Sequence, residues 1–365
     1  MSLKILSLSY LFPNKIYPSY GIFVLNRLKY VNAHCVVKVV APTPYFPFME
    51  RFAKFRNYSK IPAFEEIENL KVDHPRFFVV PGFMKWFDGI SYFFATLPTI
   101  FRIRKKFDFD LIDLHWVYPD ILAGFLYARL FGRKWIVTVR GKEAIIFGRW
   151  DPRTLIVNSL LRKANHIIAL SGELAAILRH RGIPGDKISV IRNGVDVGRF
   201  RRLHMSAARK KIGLAEDSKI MLSVGSLIEG KGFHKVITAM PDLIQTYPDL
   251  RYYIVGSPNL AGNFEADLRE LIRKLALTAH VKLVGAKPNE ELIHWYNAAD
   301  LFCLPSYGEG SPNVVFEALA CGLPVVATAV GDVPETLQES FLGYTVEPGN
   351  QPDLKDKLAL GLSTQ

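Results

Sequence analysis

Short apolar runs alternate with amphipathic stretches along this chain, and the whole scheme occurs twice, which restricts the fold more than any other feature of the sequence. Runs that are apolar throughout suit strands buried on both faces, so the alternation predicts parallel sheets with helices on both sides. In the first half the strands are expected at residues 3–9, 36–41, 111–114, 135–139, 166–170 and 188–191. In the second half they are expected at 219–224, 251–255, 281–284, 301–304 and 324–327. Two doubly wound α/β domains follow, residues 1–196 and 197–365, joined just after the turn formed by Asn193, Gly194, Val195 and Asp196. A length of 365 residues is enough for two separate cores. Ligands of such sheets bind beyond the carboxyl ends of the strands, so the site is expected where two sheets face each other across a cleft.

The segment 305–328 carries the most chemistry. It reads as a strand end, a glycine-rich loop, a short helix and a new strand. Gly308 and Gly310 flank Glu309 and let the backbone turn and approach a ligand closely. Ser311 followed by Pro312 has the chemistry of an N-cap with proline at the first helical position, and Gly322 with Pro324 marks the helix end. Glu317 then falls in the second turn. A helix N-terminus suits a diphosphate, and a carboxylate accepts two hydrogen bonds from a vicinal diol; nucleotide sugars carry both groups. The competing explanation is that both glutamates are solvated helix-start residues. Lys231, between Gly230 and Gly232 after the first strand of the second half, combines a compact cation with a close-approaching backbone, as phosphate recognition requires. An exposed loop lysine is its plainer reading. The dinucleotide fingerprint GxGxxG is missing after the first strand, which argues against a dehydrogenase.

These motifs resemble the signature of the family 4 retaining glycosyltransferases, and the resemblance implies the GT-B fold, two Rossmann-like domains facing across a cleft. It assigns Glu309 to the donor sugar and Glu317 to the nucleotide ribose, with Gly310, Ser311, Pro312 and Asn313 completing the donor site at the helix start. It assigns Lys231 to the donor diphosphate. Ser226 stands where the family has a diphosphate-binding arginine, so one fixed charge is absent and a hydroxyl donor is left. Gly21, preceded by Tyr20, matches a glycine-rich phosphate loop that commonly has two glycines; a plain helix-entry turn explains it nearly as well. His115 matches a histidine near the reaction centre, and a lone histidine is more often structural. Arg140 stands where many relatives have histidine, and with Lys142 it suits an anionic acceptor or a fixed local ion pair. Asn193 to Asp196 matches the interdomain turn, and Glu335 a site-positioning acid.

The first half looks most like bacterial enzymes that assemble surface polysaccharides such as teichuronic acid or capsule. The implied function is a retaining transferase using a UDP- or GDP-linked sugar, a lipid-linked or polysaccharide acceptor, and neither metal nor further cofactor. A UDP-sugar epimerase and a noncatalytic nucleotide-sugar-binding protein are the alternatives. Family members continue for several more helical turns to a brace on the first domain. Its absence here leads us to expect a more mobile interdomain angle and lower stability.

Residues 1–196 hold 29 Lys+Arg against 15 Asp+Glu, whereas 197–365 hold 17 against 19, so all the excess charge lies in the first half. An anionic membrane surface is the expected partner, because no nucleic-acid-binding motif accompanies the charge. Two segments fit it: 80–107, which mixes large aromatics with Arg102, Arg104, Lys105 and Lys106, and the aromatic, basic stretch 44–60, which suits a membrane-facing or an acceptor-facing loop. The uncharged run 89–101 is 13 residues, short of the roughly 20 needed to span a bilayer. A core helix with a solvated basic end explains 80–107 equally well. Cys35, Cys303 and Cys321 are odd in number and lack CxxC spacing, and residues 1–10 read as a strand rather than a secretory signal. A cytoplasmic protein, peripheral on the inner face of the membrane, is expected.

Overall fold

The computed structural model describes residues 2–52, 55–141, 151–259 and 262–363. The chain divides into two compact units, 1–193 and 194–365.

In the first unit the order is β1 (Lys4–Leu8), α1 (Ile22–Asn32), β2 (Val36–Val40), β3 (Thr43–Tyr45), β4 (Phe64–Ile67), β5 (Leu70–Asp73), β6 (Arg76–Phe78) and α2 (Asp88–Arg104). There follow β7 (Leu111–Leu114), α3 (Asp120–Phe131), β8 (Lys134–Val139), α4 (Pro152–Lys163), β9 (His166–Ala169), α5 (Gly172–His180) and β10 (Ile188–Val190). Eight strands form one sheet in the order β10-β9-β8-β7-β1-β2-β5-β4, and β3 pairs with β6 separately. All pairs in the large sheet are parallel except β4 with β5, an antiparallel hairpin turned by Glu68 and Asn69, both at positive φ. That hairpin and the β3–β6 pair depart from the expected pattern. Their strands are three or four residues long and broken by charged residues or, in β3, by Thr43 and Pro44, so they lack the apolar run that marks the others.

α2 resolves the competing readings of 80–107. Gly89, Tyr92, Thr96, Ile100 and Ile103 form its buried face, while Phe94, Pro98, Phe101 and Lys105 lie exposed at i, i+4, i+7 and i+11. It is a core helix on one side and an aromatic, basic surface on the other.

The second unit runs α6 (Met205–Ile212), β11 (Ile220–Val224), α7 (Phe233–Thr246), β12 (Arg251–Val255), α8 (Glu265–Lys274), β13 (Val281–Gly285) and α9 (Asn289–Ala298). It continues with β14 (Leu301–Leu304), α10 (Asn313–Ala320), β15 (Val325–Thr328), α11 (Val333–Thr336), β16 (Gly343–Val346) and α12 (Gln351–Ser363). Its sheet is parallel throughout, in the order β13-β12-β11-β14-β15-β16. Successive strand residues alternate between two cores: Met221, Leu301 and Cys303 pack with α7, α8 and α12 on one face, Leu222, Phe302 and Leu304 with α9 and α10 on the other. Burying a side chain such as Phe302 contributes roughly 1.5–3 kcal/mol, and both faces are filled this way.

α10 begins at Asn313, later than the Ser311–Pro312 pair predicts, because Pro312 is extended at ψ 106. Its end is as expected: Gly322, at φ +76, follows the last turn, and the Leu323 amide donates to the Ala318 carbonyl.

Candidate active site

With the strands of the second unit numbered in chain order, the sheet reads 3-2-1-4-5-6, and the order reverses between β11 and β14. Ligands bind at the carboxyl ends of strands at such a reversal. The loops leaving these two strands are fastened together there. The Tyr307 amide donates to the Gly230 carbonyl at 2.9 Å. Gly232, at φ +68, lies so close to the end of β14 that a Cβ would stand 2.0 Å from the Pro305 carbonyl oxygen. Lys231 is therefore carried on a turn pinned against the neighbouring strand, and its Nζ donates to Glu309 Oε1 at 2.6 Å. A third loop closes in from β15. Gly331 abuts the carbonyls of Glu309 and Gly310, where a Cβ would stand 2.6 and 2.5 Å away. Ser311 donates to the buried Asp332 at 2.6 Å.

Glu317 projects from the second turn of α10, and Tyr296 on α9 donates to its Oε2 at 2.7 Å. Burial pushes the Glu317 carboxyl above its ordinary range, and the Tyr296 hydroxyl and the charge of Arg199 oppose that. Tyr296 is itself held edge-on by Phe200, with ring centroids 5.8 Å apart. Ser226 accepts from Asn259 Nδ2 at 2.9 Å.

The arrangement is suited to an anion joined to a polyol. An ammonium has three donors, so the bond to Glu309 occupies one and leaves Lys231 able to reach a phosphate. Glu309 keeps a second oxygen for a hydroxyl. The first amides of α10 lie just beyond Pro312, which has no N–H and so shortens that set by one. Glu317 offers an oriented carboxylate one turn further along. Tyr296, Asp332 and Tyr307 belong to this framework and are not evident from the sequence, since each partner lies 21 or more residues away.

In the first unit the strand order reverses between β1 and β7, and Gly21 and His115 follow these strands. Gly21, at φ +69, would place a Cβ 2.5 Å from the backbone of Leu11, so close loop packing alone demands a glycine there. His115 sits at the end of β7 as expected but is 0% exposed. Its Nδ1 lies 2.9 Å from Arg140 Nη2, and Arg140 Nε donates to the His115 carbonyl at 3.0 Å. Its Nε2 makes a close but bent approach of 2.8 Å to Asp113 Oδ2. Burial pushes the imidazole below its ordinary value, against the pull of Asp113. Burial also raises Asp113, but His115, Arg27 and Arg140 outweigh it and hold the carboxyl below the usual range. Burial and the nearby Arg27 push Arg140 down to about 9, so it is still charged at neutral pH. Arg140, expected either to face an anionic acceptor or to sit in a fixed local ion pair, is 6% exposed and held locally against His115. Lys142 lies outside the described residues.

Asp120 opens α3 and is fully buried. Both its oxygens accept from the Tyr10 amide, at 3.1 and 3.0 Å, tying the loop after β1 to the segment after β7.

Comparison with known proteins shows the family and the fold. The family described as "Glycosyltransferase Family 4" matches residues 29–199, and "Glycosyl transferases group 1" matches 205–365. The chain belongs to the family 4 glycosyltransferases. A Bacillus subtilis protein whose name assigns it to teichuronic acid biosynthesis, TuaC, is 26% identical over 337 residues, 91% of this chain and 82% of that one. Against a D-inositol 3-phosphate glycosyltransferase of Streptomyces scabiei, identity is 31% over 207 residues, and the chain spans only 46% of that relative. Among solved structures, sucrose-phosphate synthase from Thermosynechococcus elongatus superposes with a TM-score of 0.79 at 21% identity, covering 99% of this chain and 90% of that one. Anabaena HepE in complex with UDP and glucose gives 0.74 at 19% identity, covering 99% and 89%. The fold is GT-B, with two parallel-sheet, Rossmann-like domains.

Proposed function

We propose that this glycosyltransferase moves a sugar, with retention of configuration, from a nucleoside diphosphate sugar to a lipid-linked or polysaccharide acceptor in surface glycan synthesis. The observation that carries this reading is the Lys231–Glu309 pair held at the β11/β14 reversal beside the start of α10, with Glu317 one turn on. Lys231 and the α10 amides stabilise the departing diphosphate, where negative charge grows as the sugar–oxygen bond breaks. Glu309 orients the sugar and Glu317 the ribose. The acceptor hydroxyl forms the new bond and gives its proton to the leaving phosphate, so the reading needs no metal. TuaC's name supports the glycan class, and HepE's bound UDP supports a uridine donor.

Calorimetric titration of UDP, GDP and ADP and their glucose and N-acetylglucosamine forms tests the donor site. One base is expected to bind in the micromolar range, about −8 kcal/mol, and Glu317→Ala to weaken it at least tenfold. Binding unchanged by the substitution would remove Glu317 from the site. Conversion of the donor sugar in acceptor-free buffer would assign an epimerase instead.

The same reading places the first unit on an anionic bilayer. β3 and β6 pair in parallel, so the loops leaving them emerge at one end. Phe48 is 68% exposed on the first loop, Phe83 68% on the second, and Phe94 64% on α2. Arg51 stacks on Phe48, and Arg102, Lys105 and Lys106 flank the aromatic face. Apolar side chains bordered by cations match a headgroup interface. Among the described residues no helix is long and apolar enough to cross a membrane. Sedimentation with phosphatidylglycerol vesicles but not phosphatidylcholine vesicles is expected, and Phe83→Ser with Phe94→Ser should weaken it several-fold. Equal recovery from both vesicle types would rule out the charge-led surface.

A further inference from the structure

Tyr296 is 0% exposed, and its ring is held between Phe200, with centroids 5.8 Å apart, and Phe302, 5.7 Å away. Its hydroxyl is thereby fixed on Glu317 Oε2, 2.7 Å off. Burial and the charge of Glu317 push the phenol well above its ordinary range, so it stays protonated and donates. The chain just after the turn between the two units secures this arrangement. The Phe200 amide donates to the Asp196 carbonyl at 2.7 Å. A few residues on, the buried Asn297 of α9, next to Tyr296, accepts from the Leu203 amide at 2.6 Å and donates to the Arg201 carbonyl at 3.0 Å. The same segment carries Arg199, whose charge acts on the Glu317 carboxyl. Cys321, just beyond α10, also lies near Glu317, and burial pushes its thiol up to about 12, so it stays neutral.

On the reading of Glu317 as the ribose contact, we propose that Tyr296 and Arg199 are positioning residues that hold its carboxylate as a fixed acceptor for a vicinal diol, and that the donors taken are ribonucleoside rather than deoxyribonucleoside diphosphate sugars. An ionised carboxylate only accepts, and a ribose diol brings two hydroxyl donors to it. A 2′-deoxyribose brings one. The Tyr296 hydroxyl and the Arg199 charge both favour the ionised form, so each keeps the acceptor available as the pH falls. Once protonated, Glu317 turns one oxygen into a donor and loses half of the match.

Calorimetric titration of UDP, 2′-deoxy-UDP, GDP and 2′-deoxy-GDP into the wild type, Glu317→Gln, Tyr296→Phe and Arg199→Met, at several values between about pH 6 and 8.5, tests it. The wild type is expected to prefer the ribonucleotide of its base about tenfold or more, and Glu317→Gln to lose that preference. Burial lifts the Glu317 carboxyl and both positioning groups oppose the lift, so without either one it takes up its proton sooner on acidification. Tyr296→Phe and Arg199→Met should therefore lose the preference at a higher pH than the wild type does. Phenylalanine keeps the ring between Phe200 and Phe302, and Arg199→Met leaves those rings untouched, so one variant remains if the other fails to fold. A preference lost in Glu317→Gln but equal to the wild type at every pH in both positioning variants would overturn their role and leave the ribose contact standing. A preference unchanged in Glu317→Gln, or no binding of any of the four nucleotides, would overturn the ribose contact and the proposal with it. Equal affinity of the wild type for a ribonucleotide and its 2′-deoxy form would overturn the donor class.

Discussion

Lys231→Met is expected to lower kcat for sugar transfer by about a hundred- to a thousandfold, roughly 3–4 kcal/mol of transition-state stabilisation, while the protein remains folded. The size follows from the role proposed for the side chain. A cation aimed at a departing diphosphate acts where charge increases, so its loss falls mainly on kcat rather than on KM. Methionine keeps the length and apolar stem of lysine and removes only the charge. The substitution also strands Glu309, which is largely buried against Lys231. An uncompensated carboxylate there costs about 1–3 kcal/mol of stability, so the double variant Lys231→Met with Glu309→Gln should regain stability without regaining turnover. Steady-state kinetics at saturating donor, beside urea denaturation of each variant, separates the two effects. If kcat falls less than tenfold, Lys231 does not serve the leaving group. If the double variant recovers both stability and rate, the pair is only a structural link between β11 and β14.

The parts of this molecule that were legible from sequence are those determined by local chemistry. Val224 to Gly232 and Leu301 to Gly310 read correctly as strand ends running into glycine-rich loops, because apolar runs and glycines act over a few positions. The pairing of Lys231 with Glu309 was not legible, because it depends on β11 and β14 being neighbours with 78 residues between the partners. Tyr296 illustrates the same limit: on α9 it looks like one more apolar helix residue, and only the packing of α9 against α10 makes it the donor to Glu317. For Arg140 the sequence left an acceptor contact and a fixed local pairing open, and its actual partners were not legible. A cation in a loop after a strand is normally solvated, and this one is buried because His115 and Phe23 supply a partner and a platform that no sequence spacing announces. Gly21 was identified correctly as a special position, though the crowding against Leu11 is sufficient cause without a phosphate.

Stability of the chain is expected to fall as pH rises from about 5.5 to 8.5, by about 3 kcal/mol from Asp120 alone. Burial pushes the Asp120 carboxyl up to about 8, against the hydrogen bond from the Tyr10 amide. In the unfolded chain an aspartate ionises near 4, at about 3.9. Between these values the native state holds a proton that the unfolded state has released, so raising the pH favours unfolding by up to about 1.4 kcal/mol per unit. The loss levels off above about 8, where both states are ionised and the native state bears the full cost of a buried carboxylate. This is the reverse of the usual ion-paired aspartate, whose contribution disappears in acid. Urea denaturation at several pH values checks it, with Asp120→Asn as the comparison, since the amide keeps an acceptor for Tyr10 and cannot ionise. Other groups that titrate in this range contribute equally to both proteins and cancel in the difference. The wild-type slope should exceed that of Asp120→Asn, with the two stabilities converging or crossing as pH rises. Parallel slopes would mean that Asp120 is ionised in the native state across the range. The Tyr10 amide, and whatever else reaches its two oxygens, would then be carrying a full negative charge at the hinge between the β1 and β7 loops.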